Sequence, residues 1–235
     1  EIRAWCRRGV SIGADGLFTL RRDGDGITME YWNSDGRPAN LCLNATRCAM
    51  EVVREIGWTQ GGPTTLRTAA GSFVGYPETG DQATVEVDRP ETPRAIELVV
   101  PTLAFRAIRG WFVSVGVPHL VVPWEGSLTS APVVELGRPL RHHVDLGPEG
   151  ANVNFVAYAQ TPRDARGHEF GLRTYERGVE DETLSCGTGI IAATAVGVAL
   201  GYLTLPASAE TQSGFRVEVD TGRSSWRLRG DAGVG

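Results

Sequence analysis

The run Ile190-Ile191-Ala192-Ala193-Thr194-Ala195-Val196-Gly197-Val198-Ala199-Leu200 has helical length and no polar face. A helix that is apolar on every side has to be enclosed, and at this length it falls short of the ~20 residues that span a bilayer. What can enclose it is written in the rest of the chain. Residues 27–32, 84–88, 96–100, 152–158, 170–175, 215–220 and 225–228 alternate apolar and polar side chains, with Gly, Pro and Asp between the runs. Period-2 patterning of this kind predicts mostly antiparallel sheet with one face buried. The reading is therefore a sheet curled around a central helix.

A second helix is predicted from about residue 44 to 56. Ala45, Ala49 and Val53 form one stripe, Cys48, Val52 and Ile56 an adjacent one, and Gly57 supplies the stop. Gly201, followed by Tyr202, closes the 187–200 helix in the same way that Gly57 and Trp58 close this one. Each half of the chain thus reads strands, a helix led by a cysteine, then more strands. The expected class is α+β: two pseudo-symmetric domains, each a curled, mostly antiparallel sheet around a central helix. The N-terminal domain takes residues 1–90 and carries Cys42; the C-terminal domain takes 91–235 and carries Cys186. The boundary is placed in the Pro-bearing stretch 89–93. Residues 133–150, with Pro139, His142, His143 and Pro148, read as an exposed loop. The chain opens on Glu1 inside what reads as a structured element, so a further N-terminal piece is expected.

Cys42 and Cys186 stand at the starts of the two helices. A helix N-terminus offers unpaired N–H donors and partial positive charge, which bias a thiol toward thiolate, the form that acts as a base. Two such thiols on opposite sides of one carbon would invert a stereocentre without a cofactor. The composition points the same way. All 23 basic residues are arginine, so the Schiff-base lysine of pyridoxal-phosphate racemases and the P-loop lysine are both lacking. A net charge of −5 gives no reason to expect nucleic acid or an anionic membrane as partner. Four cysteines without paired C-x-x-C spacing suggest neither zinc nor a disulfide framework; no metal is expected, and reduced thiols in the cytoplasm are.

Several motifs, in order, resemble the diaminopimelate epimerase family of pyridoxal-independent, two-cysteine racemases. Ser11-Ile12-Gly13-Ala14-Asp15-Gly16-Leu17 is similar to an early family segment. Asn33-Ser34-Asp35-Gly36 resembles the turn that precedes the first catalytic cysteine, and Tyr175-Glu176-Arg177-Gly178 followed by Glu182-Thr183-Leu184-Ser185-Cys186-Gly187-Thr188-Gly189 resembles the second signature. The resemblance implies an amino-acid substrate held between two domains, LL- or meso-diaminopimelate in the lysine and peptidoglycan pathway, with one thiolate taking the α-proton and the opposite thiol returning one. It implies Cys42 and Cys186 as catalytic, with His119 and Glu176 as their auxiliary pair. Asn33, Asn44, Asn152, Arg177, Gly187 and Thr188 match substrate-contacting positions. By chemistry alone, Arg177 suits a carboxylate, and the N–H groups of Leu43 and Gly187 suit the charge that develops when the carbon loses its proton. A homodimer is compatible with the chain, whose sequence fixes no oligomeric state.

This chain departs from the family pattern at Cys42-Leu43-Asn44-Ala45, where Cys-Gly-Asn-Gly is usual, at Val117-Pro118-His119, where Asn-Pro-His is usual, and in one extra residue between Arg177 and Cys186. Cys6 and Cys48 read as packing residues, and His142, His143 and His168 as surface or satisfied positions. Three alternatives stay open: the same chemistry on another amino acid, a cysteine hydrolase built on Cys186, His119 and Glu176, and a catalytically dead ligand-binding homologue.

Overall fold

The computed structural model describes residues 1–24, 26–100, 106–159, 169–222 and 224–233; His168 lies outside them. The chain divides into two compact units: Glu1–Val87 together with Arg229–Gly235, and Asp88–Leu228. The last strand, β15 (Ser225–Asp231), begins in the second unit and ends in the first. A single boundary near residue 90 does not contain this return, because the alternating pattern of β15 gives no sign that its two ends pack in different places.

In the first unit a short helix, α1 (Ile2–Trp5), precedes the hairpin of β1 (Gly16–Asp23) and β2 (Gly26–Asn33). A two-residue β3 (Pro38–Ala39) folds back on β2 and leads into α2 (Leu43–Glu55). Three strands follow, β4 (Thr64–Thr68), β5 (Gly71–Pro77) and β6 (Gln82–Asp88), giving a sheet ordered β1-β2-β4-β5-β6. In this order β2 and β4 run parallel, and β1–β2, β4–β5 and β5–β6 are antiparallel. Helix α2 packs on β5, where Gly75 leaves the space that the Met50 side chain fills. Ile27, Met29, Leu66 and Val85 from the strands meet Ala49, Met50 and Val53 in the buried interior.

The second unit is ordered β14-β13-β11-β10-β9-β8-β7: β7 (Arg94–Val100), β8 (Arg106–Ser114), β9 (Pro118–Pro123), β10 (Asn152–Tyr158), β11 (Phe170–Glu176), β13 (Ala207–Glu210) and β14 (Arg216–Thr221), with β12 (Asp181–Thr183) paired to β11. Parallel pairs join β9 to β10 and β11 to β13, whereas β7–β8, β8–β9, β10–β11, β11–β12 and β13–β14 pair antiparallel. Helix α4 (Gly187–Ala199) touches β8, β9, β10, β11 and β14, and its residues from Gly187 to Gly197 are all buried. Contact with five strands is what a sheet curled around a helix requires, and the class is α+β as expected.

Residues 133–150 correct an expectation. They hold α3 (Val133–Arg141), whose Val133, Leu136 and Leu140 enter a core with Leu120, Val122, Val153, Phe155 and Tyr175 on the sheet. Gly137 lets this helix approach, since a Cβ there would collide with the Tyr175 ring. The i, i+3, i+7 stripe was present in the sequence, hidden by Gly137, Pro139 and the histidines around it.

Helices α2 and α4 share a plan. Each has 13 residues, each is N-capped by a cysteine in extended conformation, and each ends at a glycine with positive φ, Gly57 at +70° and Gly201 at +75°. Trp58 N–H donates to the Val53 carbonyl, as Tyr202 N–H does to that of Gly197, the six-residue closure that consumes orphan carbonyls.

Candidate active site

Cys42 sits where the chain stops being strand and becomes helix. Its backbone is extended (φ −143°, ψ 102°), its carbonyl accepts from Thr46 N–H at 2.9 Å, and its sulfur accepts from Ala45 N–H at 3.5 Å. Sulfur thus lies at the positive end of α2, against donors that favour thiolate. A cavity of about 330 Å³ opens beside it, lined among others by Tyr31, Trp32, Asn40, Thr46 and Arg67. Leu43 is right-handed helical and its side chain is 2% exposed, so it offers the site only its N–H, and the bulk it adds in place of glycine is taken up by the core. Asn44 is half-buried in the first turn. Asn33 closes the turn that feeds β3 and Cys42: its N–H donates to the Arg37 carbonyl and its carbonyl accepts from Gly36 N–H, both at 2.9 Å.

Arg47, five residues on, is 5% exposed, and its Nε and Nη1 have no hydrogen-bond partner among the described residues. Burial pushes its pKa down, while Cys48, Cys42 and Asp231 act electrostatically to raise it. The interaction is reciprocal, so the guanidinium favours thiolate on Cys42. Burial in turn pushes the Cys48 thiol up, with Arg47 opposing, which fits a packing role.

In the second unit Cys186 N-caps α4 with φ −121° and ψ 106°. It is 5% exposed, and its sulfur stands 3.5 Å from Thr188 Oγ1. Gly187 and Thr188 form the first turn, both buried. His119 on β9 is wholly buried, and burial, with the Arg177 charge adding, lowers its pKa to about 3. Its Nδ1 is 3.1 Å from Asn154 Nδ2. Asn152, two residues before Asn154 on β10, clamps its neighbours: Nδ2 donates to the Pro118 carbonyl at 3.4 Å and Oδ1 accepts from Arg177 N–H at 2.8 Å. Glu176 ends β11, where its Oε2 accepts from Thr183 Oγ1 at 2.8 Å. Arg177 turns its guanidinium to Glu149, 2.6 Å away at the surface.

Cys186, His119, Asn152, Glu176, Arg177, Gly187 and Thr188 all belong to the second unit, and Cys42, Leu43, Asn44 and Asn33 to the first. Sequence reasoning missed Arg47 and Asn154. A signal existed for Asn154: Asn152-Val153-Asn154-Phe155 puts two amides on one face of an apolar strand, where each needs partners. Arg47 gave no such signal, since it stands on the helix face opposite the Ala45, Ala49 and Val53 stripe and only the folded chain buries it. Among the described residues no group of three His, Cys, Asp or Glu side chains could hold a metal ion.

The class defined by this architecture is that of the racemase-like α+β folds. A probable proline racemase from Agrobacterium radiobacter K84 superposes with a TM-score of 0.68 over 98% of this chain and 77% of its own, at 17% identity. The diaminopimelate epimerase family model matches residues 111–232. Diaminopimelate epimerase of Aquifex aeolicus is 34% identical over 93% of this chain and 76% of its own length, and that of Gemmatimonas aurantiaca 37% identical over 93% and 76%. The chain belongs to the diaminopimelate epimerase family and is an isomerase of the racemase and epimerase class. No helix among the described residues is long and apolar enough to cross a membrane.

Proposed function

We propose that the protein interconverts LL- and meso-diaminopimelate, a step of lysine and peptidoglycan synthesis, by cofactor-independent transfer of the α-proton between Cys42 and Cys186. The observation that carries this reading is the pair of cysteine N-caps on matched 13-residue helices. One sulfur, as thiolate, removes the α-proton: the C–H bond breaks, an S–H bond forms, and the electron pair stays on the carbon and spreads into the carboxylate. The other sulfur, as thiol, gives its proton to the opposite face and is left as thiolate. N–H groups at the two helix starts, those of Leu43 and Gly187 first, lower the energy of the anion between these steps. Arg177 is the group suited to a substrate carboxylate, exchanging Glu149 for it.

His119 and Glu176 assist Cys186, and Asn33, Asn44, Asn152 and Thr188 shape the substrate's surroundings. The departures from the family pattern leave this chemistry intact. Leu43 keeps its N–H, Ala45 is buried in α2, and Val117 belongs to the turn in which Val115 N–H meets its carbonyl at 3.0 Å. The enzyme works in the cytoplasm, where thiols stay reduced; homodimer formation is to be tested by light scattering.

Single stereoisomers of diaminopimelate incubated in deuterated water should gain one α-deuterium on inversion. Cys42→Ala and Cys186→Ala should each lower inversion by at least about a hundredfold. Inversion that survives loss of Cys42 would rule out the two-base scheme, and exchange on other amino acids with none on diaminopimelate would move the substrate.

A further inference from the structure

Three polar side chains lie in a row on the α4 side of the second sheet. Asn154 on β10 stands directly opposite Thr174 on β11 in the antiparallel register, and His119 lies on the parallel neighbour β9. All three are buried: His119 and Asn154 at 0% exposure, Thr174 at 2%. Thr174 Oγ1 donates to Asn154 Oδ1 at 3.0 Å. Asn154 Nδ2 donates to the Leu120 carbonyl at 3.2 Å and stands 3.1 Å from His119 Nδ1. The row reaches the second cysteine, because a Cβ on Gly189 would collide with Asn154 Oδ1 while lying 3.3 Å from Cys186 Sγ. Amide and sulfur therefore both border the space over Gly189, which is too small for a methyl group.

The orientation of this amide is set by an atom that has no choice. A backbone carbonyl only accepts, so the side of Asn154 facing Leu120 must be the NH₂. The threonine hydroxyl, free to rotate, then serves Oδ1. With an N–H donor directed at it, His119 Nδ1 must present its lone pair. A neutral imidazole has one proton, and it is left on Nε2. Protonating Nδ1 as well would set two donors face to face. Nε2 is buried and has no hydrogen-bond partner among the described residues, so the ring is left with one buried donor that nothing in the described protein satisfies.

We propose that Asn154 and Thr174 are a positioning pair that holds His119 as its neutral Nε2–H tautomer, which makes this histidine a hydrogen-bond donor to an anionic acceptor in the active site and prevents it from acting as a base. The low pKa of His119 agrees with this assignment. The role at the reacting centre rests on the epimerase reading; the tautomer does not.

The test is ¹⁵N NMR of the whole protein labelled at histidine, of which the chain has four. The His119 signals are those that vanish in His119→Gln. Near neutral pH they should show a protonated Nε2 and a bare Nδ1. In Asn154→Asp a carboxylate faces Nδ1, so that nitrogen should become protonated, and kcat should fall about a hundredfold with a much smaller change in KM, as expected when a ring is held in the wrong tautomer. Thr174→Ser, which keeps the hydroxyl, should retain the parental spectrum and rate, whereas Thr174→Val, which leaves Asn154 Oδ1 without its donor, should keep the Nε2–H tautomer that the Leu120 carbonyl fixes and lower kcat several-fold because the amide is less firmly held. A parental ring protonated at Nδ1, or an Asn154→Asp spectrum with Nδ1 still bare, overturns the proposal. Should Asn154→Asp fail to fold, the parental spectrum decides alone. Absence of α-exchange in the parent would count against the epimerase reading and leave the tautomer assignment standing.

Discussion

His119 keeps its ring neutral down to about pH 3 in the native state, against an ordinary value of 6.5. Between these values the unfolded chain binds a proton that the folded chain refuses, so stability rises with pH across this window and is lost as pH falls from about 6.5 toward 3. His119→Gln removes that titration. Its urea midpoint should fall less steeply between about pH 6 and about pH 4 than the parent's; parallel curves would mean that the native ring is charged or wet. Arg47 allows a second test at this scale. Its guanidinium favours thiolate on Cys42, yet its Nε and Nη1 find no hydrogen-bond partner among the described residues. Arg47→Met should slow alkylation of Cys42 several-fold at fixed pH. It should cost little stability, because the methionine retains the packing and removes a poorly compensated buried cation. Labelling at the parental rate would place Arg47 outside the electrostatics of the first thiol.

At the scale of the element, α4 inverts a familiar rule. Glycine inside a helix is ordinarily worse than alanine by ~1 kcal/mol. Gly189→Ala should nonetheless destabilise by ~1–3 kcal/mol, because the added methyl would occupy the space of Asn154 Oδ1 beside Cys186. A melting temperature equal to or above the parent's would show that the gap is roomier than described. Both cysteine-led helices were legible from sequence because their signals are local: a cysteine before an apolar run, and a glycine two turns or more beyond. The alternating strands β2, β6, β7, β10, β11, β14 and β15 were legible for the same reason. Helix α3 was not, since Gly137 and Pro139 are punctuation in sequence but packing devices in place. Nor was the polar row on β9, β10 and β11. Its members lie 20 or more residues apart, and only the pairing of β10 with both neighbours assembles them.

Over the whole molecule, the path of the chain matters more than any single contact. Residues from Arg229 onward pack with the first unit: Arg229 pairs with Glu78 at 2.8 Å, Asp231 accepts from Gln82 at 3.5 Å, and Ala232 N–H donates to the Asp81 carbonyl at 2.8 Å. Ala232 is 2% exposed, so this is a built-in part of that unit. Removing residues 229–235 should therefore lower the melting temperature by several degrees and expose the first unit to protease, although the deletion lies nearly 150 positions from its other residues. Cleavage confined to the second unit would contradict that assignment. The same threading orders events at the ribosome. The lobe bearing Cys42 is synthesised first yet lacks its last pieces until everything bearing Cys186 has left the exit tunnel, so the earlier-made lobe is the later one to mature, and a stalled nascent chain would carry it unfinished.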